Sequence, residues 1–155
     1  MKSVRTLVTT TLAIVLLAGC EKYELDRRME ELCKKDGGIR VYETVKLPAS
    51  MFDQNGDPFP GWRDRASDDR LGPSYRFIRD STYMKQGNPV KGEGQLLRLH
   101  WKIIQKSDKK LLGEAVLYSR SGGDFIALGH FTSNGCPSQL GDATVINSIF
   151  IKEGN

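Results

Sequence analysis

The sequence predicts an α+β protein: an N-terminal helix packed on an antiparallel sheet of about six strands. Three observations carry this prediction. One amphipathic helical period runs from Glu21 to Lys35. About six stretches of strand character follow, joined by turns rich in Gly, Asn, Asp and Ser. No second long helical period separates them, so parallel strands with helical crossovers are not expected. The 155 residues fit one domain, and 39% hydrophobic with 27% charged residues is the composition of an ordinary globular chain.

In the helix, Leu25, Met29, Leu32 and Cys33 fall at i, i+4, i+7 and i+8 and form one apolar face. The other face is acidic and basic, with Asp26/Glu30 and Arg27/Glu31 spaced as i,i+4 partners. Gly37-Gly38 ends it, since glycine takes the left-handed conformation a helix stop requires. Ile39 to Leu47 alternates as a half-buried strand, with Glu43 the exception on its apolar side, and Pro48 closes it. Residues 48–73 carry four of the six prolines and form a long irregular segment, a kind of loop that is often functional or disordered. Ser74 to Met84 reads as a strand. Gly87-Asn88-Pro89 turns the chain into Gln95 to Lys106, whose Leu97, Leu99, Trp101 and Ile103 share a face. Ser107 to Lys110 is a tight turn, and Leu111 to Arg120 returns as the partner of a hairpin. Phe125 to Thr132 is the next strand. Asn134-Gly135-Cys136-Pro137 reads as a turn, and Ala143 to Lys152 as a last strand.

The residues before the helix carry targeting information. Lys2 and Arg5 precede an uncharged run, Leu7 to Ala18, of twelve residues. That is too short to span a hydrocarbon core of about 30 Å and reads as a signal peptide. The run ends in Leu17-Ala18-Gly19-Cys20, which resembles the lipobox of bacterial lipoproteins. The resemblance implies cleavage between Gly19 and Cys20, a diacylglycerol thioether on Cys20 and acylation of the new amino group, for example by palmitate. Residues 1–19 would then be a signal peptide, and residues 20–155 a single mature lipid-anchored domain. Glu21 follows the cysteine where Asp would favour the inner membrane of enterobacteria, so the outer membrane, facing the periplasm, is the expected location. The alternative is an ordinary secretory signal with an incidental Cys20. Loss of Lys2 and Arg5 leaves 21 basic and 19 acidic side chains, so the net charge of +4 falls to +2. No dense basic stripe remains to bind nucleic acid.

With Cys20 lipidated, Cys33 and Cys136 remain as a pair. In an oxidising periplasm a disulfide is the expected outcome, pinning the helix to the C-terminal part of the sheet. Two rivals have little support. A reactive thiol at Cys136 with His130 as base has no motif around it. A metal site from Cys33, Cys136, His100 and His130 lacks ligand spacing. No cofactor is expected. The stretch Leu32 to Val45, with the motif Val41-Tyr42-Glu43-Thr44-Val45, also resembles a segment of small uncharacterised proteobacterial proteins in which a Cys-bearing helix turns into a strand. That resemblance implies a structural unit and brings no activity with it.

The 48–73 segment is the one loop with candidate chemistry. Asp53, Asn55 and Asp57 have the spacing that opens a calcium loop, but position 6 is Pro58 and position 12 is the short Asp64, so the resemblance fails where the turn and the bidentate ligand belong. Phe59, Trp62, Arg63 and Arg65 together make a possible partner-binding surface, because aromatics beside charge are enriched at interfaces. The competing placement folds Phe59 and Trp62 onto the core. Nucleophile elbows, P-loops and zinc-protease motifs are absent from the sequence.

The leading functional expectation is a non-enzymatic binding or structural module of the cell envelope, held at the membrane by lipid on Cys20 and facing an envelope protein partner. An immunity lipoprotein or a prophage-type exclusion lipoprotein would be a variant. A small-ligand carrier would need an apolar cavity between helix and sheet. An envelope hydrolase would need His100 or His130 beside an acid or hydroxyl in a cleft.

Overall fold

The computed structural model describes residues 20–65, 69–124 and 130–154, and of Cys20 the backbone alone. The expected signal peptide and the first three lipobox residues lie outside the described residues. So does most of the strand expected over 125–132.

The architecture is α+β. Helix α1 spans Cys20–Asp36. A five-stranded antiparallel sheet contains β1 (Gly38–Val41), β3 (Tyr75–Lys85), β4 (Gln95–Gln105), β5 (Leu111–Ser121) and β6 (Ser133–Cys136). A second, parallel pair joins β2 (Val45–Leu47) to β7 (Phe150–Lys152), and helix α2 (Asp142–Ile149) leads directly into β7. In the main sheet β5 is central. It pairs with β4 on one side, and with β1 and then β6 on the other, while β3 is the far edge.

Strand alternation sends successive side chains to opposite faces of this sheet, and each face has its own core. On one face Leu96, Val116 and Tyr118 pack against Leu25, Met29 and Cys33 of α1. On the other, Phe77, Trp101, Ile103 and Ala115 pack against Val145, Ile146 and Ile149 of α2, Phe150 of β7, and Phe59, Trp62 and Leu71 of the 48–73 segment. The expected helix-on-sheet packing is therefore present, with a second covering layer in which Phe59 and Trp62 take their core placement and helix α2 is the unexpected element.

Several fasteners hold α1. Cys33 and Cys136 form the expected disulfide, with 5.9 Å between their Cα atoms. Asp26 accepts Nε and Nη2 of Arg120 at 2.9 and 3.2 Å. Arg120 is 2% exposed, and its Nη1 donates to the carbonyls of Gly122 and Thr132 and to the Thr132 hydroxyl. This buried cation is thus fully bonded. At the start of the helix Lys22 reaches Asp124 at 2.9 Å and Glu21 pairs with Lys85. Asp26 thus finds its partner across the sheet, since Glu30, four residues on, carries the same charge and cannot pair with it.

Three sequence expectations are corrected. The strand expected over 143–152 is mostly helix α2. Its β-branched residues favour a strand in isolation, but Val145 and Ile149 stand at i and i+4, and the helix buries both fully together with Ile146. The single strand expected over 39–47 is two. The chain breaks at Tyr42 and Glu43, whose amides both donate to Leu112 O, and β2 then leaves for the parallel pair. The turn expected at Asn134-Gly135-Cys136 is strand β6, paired with Tyr118 to Ser121.

Candidate functional site: an apolar cleft and a charged sheet face

The 48–73 segment is a covering layer. Phe59 and Trp62 are each 4% exposed. They take the competing placement, on the core, and so do not offer their rings to a partner-binding surface. Phe59 forms an edge-on aromatic cluster with Phe150 and Tyr75, at centroid distances of 4.8 and 5.9 Å. Such pairs are each worth about 0.5–1.5 kcal/mol beyond area burial. They hold Phe59 at φ 57°, a left-handed conformation that a non-glycine residue adopts at a cost of about 1–2 kcal/mol. Trp62 lies under two guanidinium groups, those of Arg63 at 4.7 Å and Arg70 at 5.6 Å. Arg70, itself buried, also stacks on Phe77 and pairs with Asp142 at the start of α2. Arg70 is the residue that binds this layer together. No pattern in the sequence distinguishes it from its charged neighbours.

The remaining members of the expected surface have local roles. Arg63 pairs with Asp57 at 2.5 Å. Arg65 donates to the carbonyls of Pro60 and Arg70. The carboxylates of the calcium-like spacing are engaged as well. Asp53 Oδ1 accepts the amides of Asn55 and Asp57, a turn-closing arrangement. Asp57 accepts from Asn147 Nδ2, and that bond, with Arg63, holds its pKa low against the effect of burial. Among the described residues no three His, Cys, Asp or Glu cluster as metal ligands.

The same segment builds a cleft of about 570 Å³. Its floor is Leu47, Phe59 and Leu71. Its walls are Pro48, Met51, Pro60, Pro73 and Tyr75, and Arg65 stands at the rim. Both its size and its apolar lining fall within the range of ligand- and side-chain-binding sites. It opens beside Tyr75, the first residue of β3. Lys85, the last residue of β3, bonds to Glu21 beside Cys20. Ten residues of strand, about 33 Å, therefore separate the cleft from the start of α1.

The sheet face that carries α1 is left polar where the helix ends. Arg40, Glu114 and Lys102 lie side by side on β1, β5 and β4, and Lys102 bonds across to Asp80 on β3. His100 Nε2 lies 2.7 Å from Glu114 Oε2, and the Tyr42 hydroxyl donates to Glu114 Oε1 at 2.6 Å. The bond from Tyr42 is the main cause of a lowered Glu114 pKa, and it raises that of Tyr42 in turn. A similar cluster lies one step along. Asp36 is pushed up by burial but pulled further down by hydrogen bonds from Tyr118 and Arg98, and its net pKa is lowered. Burial and the bond to Asp36 raise the Tyr118 pKa. His100 thus has the acidic neighbour a hydrolase reading asked for, with the second Glu114 oxygen taken by Tyr42. His130 is exposed and lies outside any strand.

The space between α1 and the sheet is filled by Leu25, Met29, Leu96, Val116 and Tyr118, so the cavity expected of a carrier is not at that place. Among the described residues no helix is long and apolar enough to cross a membrane. Comparison with known proteins returns no match: no family model, no curated protein and no solved structure aligns with the chain.

Proposed function

We propose that this protein is a lipid-anchored, non-enzymatic binding module of a bacterial envelope that offers an apolar cleft to a protein partner. The observation that carries the reading is the position of the cleft, at the end of β3 opposite the end where α1 begins. An anchor on Cys20 would leave the cleft facing away from the bilayer. The fasteners on α1 support the same reading, because a lipid on Cys20 would then hold a rigid body. The cleft suits one or two apolar side chains of a partner, with the Arg65 rim beside them. The His100–Glu114–Tyr42 cluster is read as a structural ladder, since its carboxylate is committed to its neighbours.

The test is site-specific photo-crosslinking in the native envelope. A benzophenone amino acid at Met51, in the cleft wall, should give a discrete crosslinked protein. The same group at Lys102, on the opposite sheet face, should not. Equal crosslinking from both positions, or none from Met51, would refute the cleft as the binding site.

A further inference from the structure

The end of the molecule where α1 begins carries a cluster of exposed apolar side chains that nothing above explains. Tyr23 is 74% exposed, Val90 72% and Phe131 44%. The hydrogen bonds bring them to one place. Tyr23 follows Lys22, whose Nζ bonds to Asp124. Phe131 precedes Thr132, whose amide and hydroxyl bond to the same Asp124 carboxylate. Val90 sits in the Pro89–Lys91 turn. That turn is fixed to the same point, since Gly123 N donates to Gly92 O and a Cβ on Gly122 would lie 2.9 Å from Pro89 Cα. Gly122 and Gly123, at φ 74° and 78°, are where the backbone needs glycine for this close approach, and Gly123 packs against the backbone of Lys22. The chain segments that carry the three residues thus meet near the first turn of α1.

Lone exposed apolar side chains are ordinary, but a cluster at one end of a small domain marks an interaction surface. Its position selects the occupant. The helix starts at Cys20, and Lys22 and Glu21 are already bonded to the sheet, so no flexible tether stands between Cys20 and the folded body. Helical side chains lean toward the N-terminus, so Tyr23 extends in the direction of Cys20. Tyrosine and phenylalanine beside lysine, here Lys22 and Lys91, suit the headgroup region of a bilayer.

We infer that Tyr23, Val90 and Phe131 form a membrane-docking surface. They seat the domain end-on against the bilayer interface, with β3 running away from it. This rests on the proposed lipid at Cys20, and the acyl chains supply most of the affinity while the patch fixes orientation. Asp124 is the centre of the patch. Its bonds to Thr132 and Lys22 hold its pKa down to about 2, so it stays ionised and keeps the three elements together.

The test uses the full-length protein, produced in a bacterial host with its own N-terminal segment. It is reconstituted into vesicles of equal parts brominated phosphatidylcholine and phosphatidylglycerol. Tyr23→Trp, Phe131→Trp and, as control, Val41→Trp each add one exposed tryptophan above the buried Trp62 and Trp101. Val41 pairs with Gly113, eight residues or about 26 Å back along β5 from Ser121. Bromolipid should roughly halve the added fluorescence at positions 23 and 131 and leave position 41 unchanged. Intact mass of the same sample reads the lipid on Cys20. A lipidated protein with no quenching, or with equal quenching at position 41, overturns the docking surface and leaves the anchor standing. A protein without lipid on Cys20 overturns the anchor and the docking surface together.

Discussion

Replacing Asp26 by Asn keeps the shape of the side chain and removes its charge. Arg120, 2% exposed, would then be a buried cation without a counter-charge. Breaking a buried pair from one side costs about 3–5 kcal/mol. Asp26 is about a quarter exposed and Arg120 keeps its carbonyl partners, so the lower end, about 3 kcal/mol, applies here. With a urea slope of about 2 kcal/mol per M, the unfolding midpoint should fall by about 1.5 M. Arg120→Met is a different perturbation. It leaves Asp26 able to meet water but strips a donor from two carbonyls, and should cost about 2 kcal/mol. The double variant removes both charges, and its cost should fall short of the sum by at least about 1 kcal/mol. Urea unfolding followed by far-UV circular dichroism measures all three. A midpoint shift below about 0.3 M for Asp26→Asn, or strict additivity in the double variant, would refute the reasoning that this pair fastens α1 to β5.

Cys33→Ala with Cys136→Ala opens a link across 103 residues, and chain entropy sets the loss at about 4.7 kcal/mol as an upper value; the same comparison between reduced and oxidised protein checks it. Asp124 has a folded pKa near 2, depressed from 3.8, so its contribution is complete above pH 4 and disappears as pH falls toward 2. That contribution is about 2 kcal/mol, and Asp124→Asn should flatten this part of a plot of urea midpoint against pH. Gly113→Ala puts a Cβ 2.7 Å from Ile149 Cδ1 and 2.9 Å from Arg40 O, which should cost about 1–3 kcal/mol and loosen α2, seen as faster amide exchange there. With the crosslinker kept at Met51, filling the cleft from its exposed edge by Ser74→Trp should change the unfolding free energy by no more than about 0.5 kcal/mol while removing the partner crosslink.

Much of the frame was legible. The α1 face, the β3–β4–β5 meander and the Cys33–Cys136 pair follow from local periodicity and cysteine chemistry, and each formed as read. Glu43, the one charge on an apolar strand face, marked the place where that strand breaks, and it pairs there with Lys110. Helix α2 was hidden because its β-branched residues have a strand preference that only burial between two layers overrides. The cleft was hidden for another reason. Its walls come from three stretches, 47–51, 59–60 and 71–75, and no spacing within one of them announces the others. Arg120 did leave a signal. It continues the alternation of Val116 and Tyr118, which places a charge on the face that packs on the helix, and such a charge demands a partner. The sequence could not say that the partner is Asp26, 94 positions away.

The claim on which the functional account stands is the anchor at Cys20. Intact mass spectrometry of the protein purified from bacterial membranes tests it most directly. The account predicts a chain that begins at Cys20 and carries the added mass of a diacylglyceryl group and an amide-linked acyl chain. A chain that retains Met1, or one whose Cys20 carries no lipid, would contradict it.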